Sequence, residues 1–228
     1  MQVRLDGGLG NQMFQYAYAR ALPEATLVNS CWQYGLQLDK LNTKLPVIGE
    51  AEAKGSVLSG YWQEEKYFQS IELNIREEFT LKCTPDAKAR EASSYFSSNS
   101  VAVHVRRGDY TGPSRKLEIA LPLDYYERAI EHLKKHVVDP RFFVFSDDMT
   151  WVERNLDLPR MSVLLNFKVH EDLWLMTQCK HSIIANSTLS WWGAWLKPEK
   201  GIVVAPAQWF PKGTKFEATK VPQRWTQL

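Results

Sequence analysis

Residues 100–110 read SVAVHVRRGDY. Apart from Ser100 and His104, the first six are small and apolar, the pattern of a strand covered on both faces of a parallel sheet. The strand stops against two arginines, a glycine, an aspartate and a tyrosine. Arginine cannot shed its charge, and its planar fork matches phosphate oxygens in two-point contacts. Two of them at the end of a buried strand need an anion nearby. Side chains alternate along a strand, so Arg106 and Arg107 are expected to face opposite ways, with His104 on the face of Arg106. One arginine can then meet a ligand while the other pairs with Asp109 or braces the loop. A purely structural Arg–Asp pair is the plainer alternative. An Arg-Gly-Asp adhesion tripeptide would need an exposed loop on a secreted chain.

Downstream, strands and helices alternate. Helices are expected near 123–136, 149–156, 171–179 and 189–196, and strands near 142–145, 163–165, 182–185 and 202–205. Upstream, Val3 to Leu5 reads as a strand, and residues 12–22 as a helix stopped by Pro23. Residues 57–62 read as a strand, and 64–75 and 87–96 as helices; 31–55 show no clear period. Such alternation means βαβ units and a parallel sheet. The fold class is therefore α/β. Two halves, 1–98 and 99–228, are expected as Rossmann-like domains facing a cleft.

Ligands of open α/β sheets bind at the carboxyl ends of the strands, and the polar clusters fall there. Gly7-Gly8-Leu9-Gly10-Asn11-Gln12 follows the first strand. Its glycines would admit a ligand to the backbone at a helix N-terminus, or it is a tight turn capped by Asn11. It is neither a dinucleotide fingerprint nor a P-loop. Ser146-Asp147-Asp148 suggests a helix cap rather than a metal site. Asn186-Ser187-Thr188-Leu189-Ser190 opens a helix, either as a cap or as a seat for a second phosphate or a sugar hydroxyl. Trp191, Trp192 and Trp195 on that helix read as core packing, with sugar stacking the alternative.

Composition narrows the field. Across 228 residues, 28 Lys and Arg against 26 Asp and Glu leave a net charge of +2, too little basic excess for a nucleic-acid binder. The three cysteines are scattered and form no metal-binding pattern, which points to a reducing, cytoplasmic location. Neither a signal peptide nor an apolar run of about 18 residues is visible. Only peripheral membrane association is left open, and Asn186-Ser187-Thr188 should escape glycosylation.

Taken in order, GGLGNQMFQYAYARAL (7–22), HVRRGDY (104–110), FFVFSDD (142–148), CKHSIIANSTLSWWGAWL (179–196) and APAQWF (205–210) resemble glycosyltransferase family 11, the α-1,2-fucosyltransferases. The resemblance implies a GT-B-type fold, GDP-β-L-fucose as donor, inversion at the anomeric carbon and no metal or other cofactor. It implies transfer to the 2-hydroxyl of a terminal β-galactoside, with residues 1–98 on the acceptor side and 99–228 binding the donor. By position, Arg106 looks like the phosphate-binding arginine and His104 the histidine near the nucleotide. Asn11, in the loop with Gly8 and Gly10, lies near pyrophosphate and fucose. Arg107 joins the donor site, as do Asn186, Ser187, Thr188 and Ser190 of the polar turn, and Asn166 falls where related enzymes contact guanine. Asp109 and Glu118 are candidates for the base. Family members are usually longer, chiefly between the first helix and Val57, so the acceptor is left open. A fucosyltransferase with another acceptor, or an inactive nucleotide-sugar binder, are the alternatives.

Overall fold

The computed structural model describes residues 1–31, 33–108, 120–156, 162–163, 167–198, 201–213 and 221–228. Asp109, Glu118 and Asn166 lie outside them. The chain divides into two compact units, Met1–Pro85 and Asp86–Leu228.

The first unit runs β1 (Gln2–Leu5), α1 (Leu9–Arg20), β2 (Thr26–Asn29), β3 (Val47–Gly49), β4 (Val57–Leu58) and α2 (Glu72–Glu78). The strands are all parallel, in the order β3-β2-β1-β4. Helix α1 buries Met13, Phe14, Tyr16 and Ala17. Its register with α2 is fixed by a buried carboxylate: Glu78 accepts from the Tyr16 hydroxyl and pairs with Arg20 Nε at 3.1 Å. A buried charge needs such partners.

The second unit runs α3 (Ala87–Ser93), β5 (Ser100–Val105), α4 (Leu123–His136), β6 (Arg141–Ser146), α5 (Met149–Asn155) and β7 (Ser162–Val163). It continues with α6 (Val169–Gln178), β8 (His181–Ile183), α7 (Thr188–Trp195), β9 (Val203–Ala205) and β10 (Thr226–Gln227). Its strands are parallel in the order β10-β9-β8-β5-β6-β7. Alternation along β5 and β6 divides the core. Val101, Val103, Val105, Phe142 and Val144 pack with Tyr125, Ala129, Ile130 and Leu133 of α4. Ala102, Phe143 and Phe145 pack on the other face with Leu175 and Met176 of α6 and Ala89 of α3. Each fully buried side chain of Leu or Phe size contributes about 1.5–3 kcal/mol. Trp191, Trp192 and Trp195 of α7 are buried against one another and Trp225. They are core, and sugar stacking on them is excluded.

The main elements of the second half match the sequence reading, and the first half departs from it. Strand β2 was not among the expected strands, and β3 falls in 31–55, where no clear period was read. Residues 64–75, expected as one helix, form two single 3-10 turns at Glu65–Tyr67 and Gln69–Ile71 before α2 begins. The junction expected at residue 98 lies at 85/86. The reason is α3, whose Ala89 joins the second core, while the Asp86 amide donates to Glu171 Oε1 at 2.9 Å. Among the described residues, no helix is long and apolar enough to cross a membrane.

Candidate active site

In the second unit the strand order reverses between β5 and β8: β6 and β7 lie on one side, β9 and β10 on the other. A crevice outside the carboxyl ends is expected at such a switch point. The register Val103↔Ile183 and Val105↔Ser146 sets the ends of β8, β5 and β6 side by side. The loops after these strands carry Asn186-Ser187, Arg106-Arg107 and Asp147-Asp148.

The two arginines meet adjacent aspartates of the loop after β6. Arg106 Nη1 lies 3.1 Å from Asp147 Oδ2 with 30% of its side chain exposed. The Arg107 guanidinium lies over the Trp151 ring at 4.1 Å, and its Nε is 3.6 Å from Asp148 Oδ2. Arg107 therefore braces the loop against α5, while Arg106 stays at the rim. A guanidinium carries five N–H donors, enough to hold a carboxylate on one edge and a phosphate on another. Asp147 Oδ1 also accepts from the Arg107 amide at 2.8 Å. A Cβ at Gly108 would meet Asp147 Oδ2 at 3.0 Å, so the turn packs closely on that carboxylate. Asp148 is the N-cap of α5, accepting from the Trp151 amide at 3.0 Å. The expectation of a cap thus applies to Asp148, whereas Asp147 is committed to the arginine loop.

His104 is buried, and among the described residues its Nδ1 finds no hydrogen-bond partner. Burial, and then the Arg106 charge, pull its pKa down to about 3, against the opposing charge of Asp147. The ring is neutral at physiological pH. A buried, unsatisfied nitrogen costs about 1–3 kcal/mol, which a polar ligand could offset. After β8 comes α7, with Ser187 as its N-cap residue and no cap hydrogen bond from that side chain. Asn186 Nδ2 donates to the Trp209 carbonyl at 3.2 Å, and Ser190 Oγ to the Ser187 carbonyl at 3.2 Å. Those two build the turn. Ser187 and Thr188 stand at its mouth, where a helix N-terminus favours negative charge.

The glycine loop of the first unit follows β1. Gly7 adopts φ +78°, and a Cβ there would also strike Asn11 Nδ2 at 2.7 Å. Gly8 is the N-cap of α1, and a Cβ on it would meet nothing within 4 Å. The backbone at Gly8 is open, while Gly10 is buried in the first turn of α1. Asn11 does not cap the helix; its Oδ1 accepts from Gln63 Nε2 at 3.0 Å. The residues that fix this loop escaped the sequence reading. Buried Gln12 donates to the carbonyls of Gly7 and Gly35, each at 2.9 Å. Gln15 takes the Asp6 amide at 2.9 Å and donates to the Gly60 carbonyl at 3.1 Å. Their only signal was two glutamines on the otherwise apolar face of α1.

Residues 48–228 match the family model described as Glycosyl transferase family 11. The chain belongs to glycosyl transferase family 11. It is 34% identical to an alpha-1,2-colitosyltransferase of Escherichia coli, over 99% of this chain and 97% of that protein. It is 28% identical to a galactoside 2-alpha-L-fucosyltransferase of Bos taurus, over 97% of this chain and 70% of that protein. The first alignment spans 284 positions. This family 11 chain has 228 residues, so at least 56 of those positions are gaps in it. Among solved structures, a glycosyl transferase family 9 protein of Veillonella parvula superposes with a TM-score of 0.56 at 10% identity, covering 100% of this chain and 86% of that one. A structure of POFUT1 in complex with GDP gives 0.50 at 12% identity, covering 90% and 97%. These likenesses, with the two parallel sheets, make the fold α/β of the GT-B type. The protein is a glycosyltransferase.

One further group of this glycosyltransferase stands out. Asp172, in the first turn of α6, is pushed up to about 7 by burial and then by the Glu171 charge. The sequence gives no hint of it, because the shift comes from packing.

Proposed function

We propose that this glycosyltransferase moves L-fucose from GDP-β-L-fucose to the 2-hydroxyl of a terminal β-galactoside, with inversion and without a metal. The observation that carries the reading is that Arg106, with 30% of its side chain exposed, and the N-terminus of α7 follow β5 and β8, the two strands that flank the switch point. That combination suits a pyrophosphate. In the reaction the bond from the anomeric carbon to the phosphate oxygen breaks. The acceptor oxygen attacks from the opposite face, and its proton passes to a base, Asp109 or Glu118 as the candidates. Arg106 and the α7 amides hold the charge that grows on the departing GDP, the task a divalent cation performs elsewhere. Asp147 and Asp148 both face arginines, which argues against their use as metal ligands. Neutral His104 offers a polar nitrogen to the nucleotide. The second unit takes the donor, and the first unit takes the acceptor.

A second reading concerns the donor. A relative at 34% identity is named a colitosyltransferase, and colitose is the 3-deoxy counterpart of fucose. Incubation with lactose and equal amounts of GDP-fucose and GDP-colitose decides between them. Fucosylated lactose as the main product supports the proposal, and colitosylated lactose replaces it with the second reading. GDP binding with neither product would leave a binder of GDP sugars that does not use lactose.

A further inference from the structure

The first sheet has its own switch point, between β1 and β4, with β2 and β3 on the far side of β1. The chain leaving β4 is fastened there in an unusual way. Gln15 holds the Gly60 carbonyl at 3.1 Å, and Gln63 reaches Asn11 at 3.0 Å. Between them Trp62 takes φ +45°, a region that a bulky side chain occupies only when its surroundings force it. The indole stacks on Tyr18 at 4.1 Å with the planes 6° apart. The Glu64 amide donates back to the Trp62 carbonyl at 2.8 Å.

This strained turn buries no large side chain at its tip. It turns Tyr61 outward, 44% exposed, with its hydroxyl 3.4 Å from Asp6 Oδ2. Asp6 is exposed as well, and its Oδ1 accepts from the Gly7 amide at 2.7 Å. The same carboxylate helps burial push the Cys31 thiol up to about 11, which places its charge beside the loop after β2. An aromatic face, a carboxylate and the bare backbone of Gly8 thus share one rim.

We infer that Tyr61 and Asp6 form the subsite for the acceptor's pyranose ring, the Tyr61 ring covering its apolar face and Asp6 accepting its hydroxyls. The inference rests on the glycosyl-transfer reading above. A β-galactoside has an axial 4-hydroxyl, which leaves the hydrogens of C3, C4, C5 and C6 on one broad apolar face that suits an aromatic ring. An ionised carboxylate only accepts hydrogen bonds, so it matches the O–H groups on the edge of the same sugar. At 3.4 Å the Tyr61–Asp6 bond is long for O–H···O, and a sugar hydroxyl at ordinary distance would displace it. Rigid mounting by Gln15, Gln63 and Trp62 lowers the entropy lost on binding.

The test is steady-state transfer from GDP-fucose to lactose by wild type, Tyr61→Ala, Tyr61→Phe and Asp6→Asn. GDP-induced thermal shifts are measured on each. Tyr61→Ala and Asp6→Asn should each raise the lactose KM about tenfold, the equivalent of 1.4 kcal/mol, with kcat changed less and the GDP shift retained. Tyr61→Phe keeps the ring and should stay within about threefold, which a loss of fold would not spare. Should Tyr61→Ala fail to fold, Asp6→Asn and Tyr61→Phe decide. An active wild type with Asp6→Asn and Tyr61→Ala both within twofold of its lactose KM overturns the subsite alone. So does a loss of the GDP shift in a folded Asp6→Asn protein. A wild type that neither binds GDP nor modifies lactose overturns the transferase reading itself, and one that transfers only to water overturns the galactoside subsite.

Discussion

The carboxyl rims of the two sheets follow the same topological rule and are furnished in opposite ways. The rim of the second sheet sets Arg106 and Arg107 against Asp147 and Asp148, with the N-terminus of α7 and a neutral His104 where the strand order reverses. The rim of the first sheet has a carboxylate, a tyrosine and an open glycine backbone at its reversal. Each rim is also held by different means. Ion pairs and a cation–π contact hold the arginine loop, whereas the amides of Gln12 and Gln15 hold the glycine loop. Topology fixes where a ligand can sit, and side-chain chemistry fixes which ligand it is. On the proposed reading, one rim takes the diphosphate of the donor and the other the acceptor sugar.

The largest effect should follow from removing the cation. Arg106→Ala should lower transfer by about 100- to 1000-fold, the usual loss for one charge-stabilising donor. Lys at 106 should restore only part of it, because a point charge does not reproduce the fork. Initial rates with saturating lactose check this; retention of a tenth or more of the activity would remove Arg106 from its role.

Arg107→Ala should fail differently. It removes a guanidinium stacked on Trp151 and leaves Asp148 without its ion pair. A loss of stability of about 1–2 kcal/mol is expected from the stacking contact, read as a lower midpoint in urea without ligand. If Arg107→Ala unfolded like wild type but no longer responded to GDP, the two arginines would have exchanged roles.

A subtler effect concerns Asp172. Its carboxyl, ordinarily at 3.8, is raised to about 7 in the folded chain. Between these values the folded protein keeps a proton that the unfolded chain has lost, so this group's contribution to stability falls as pH rises through the interval. Above pH 7 the ionised carboxylate is a standing cost. Asp172→Asn should therefore be more stable than wild type at pH 8 and less pH-dependent from pH 4 to 7. Denaturation midpoints across that range test it; parallel curves would show that Asp172 does not titrate in this way.

The smallest effect expected is none at all. Chelation by EDTA should leave transfer unchanged, since both aspartates at the rim of the second sheet face arginines. Activity lost in EDTA and regained with Mn²⁺ would turn Asp147 and Asp148 into metal ligands.

How much of this was legible in the sequence follows from where each constraint originates. Strand β5 was legible because all six of its residues are buried and none needs a distant partner to explain it. Helix α4 was legible because Tyr125, Ala129 and Leu133 recur at helical spacing. Strand β3 was not: it has three residues, none fully buried, so no period builds up. Alternation predicts opposite faces for Arg106 and Arg107, but β5 ends at Val105 and both arginines meet aspartates of one loop, Asp147 and Asp148. Those partners were not legible, because they lie on the neighbouring strand's loop, about forty positions away. Pairing of Tyr61 with Asp6 depends in the same way on β1 lying beside β4. Trp62 gives no warning of its positive φ.

The most direct test of the two-rim account is calorimetric titration of GDP into wild type, Arg106→Ala and Tyr61→Ala. The account predicts that Arg106→Ala loses GDP binding by about a hundredfold or more, the equivalent of 2.7 kcal/mol, while Tyr61→Ala binds GDP like wild type. Equal GDP affinity in Arg106→Ala and wild type, or loss of binding in a folded Tyr61→Ala, would contradict it.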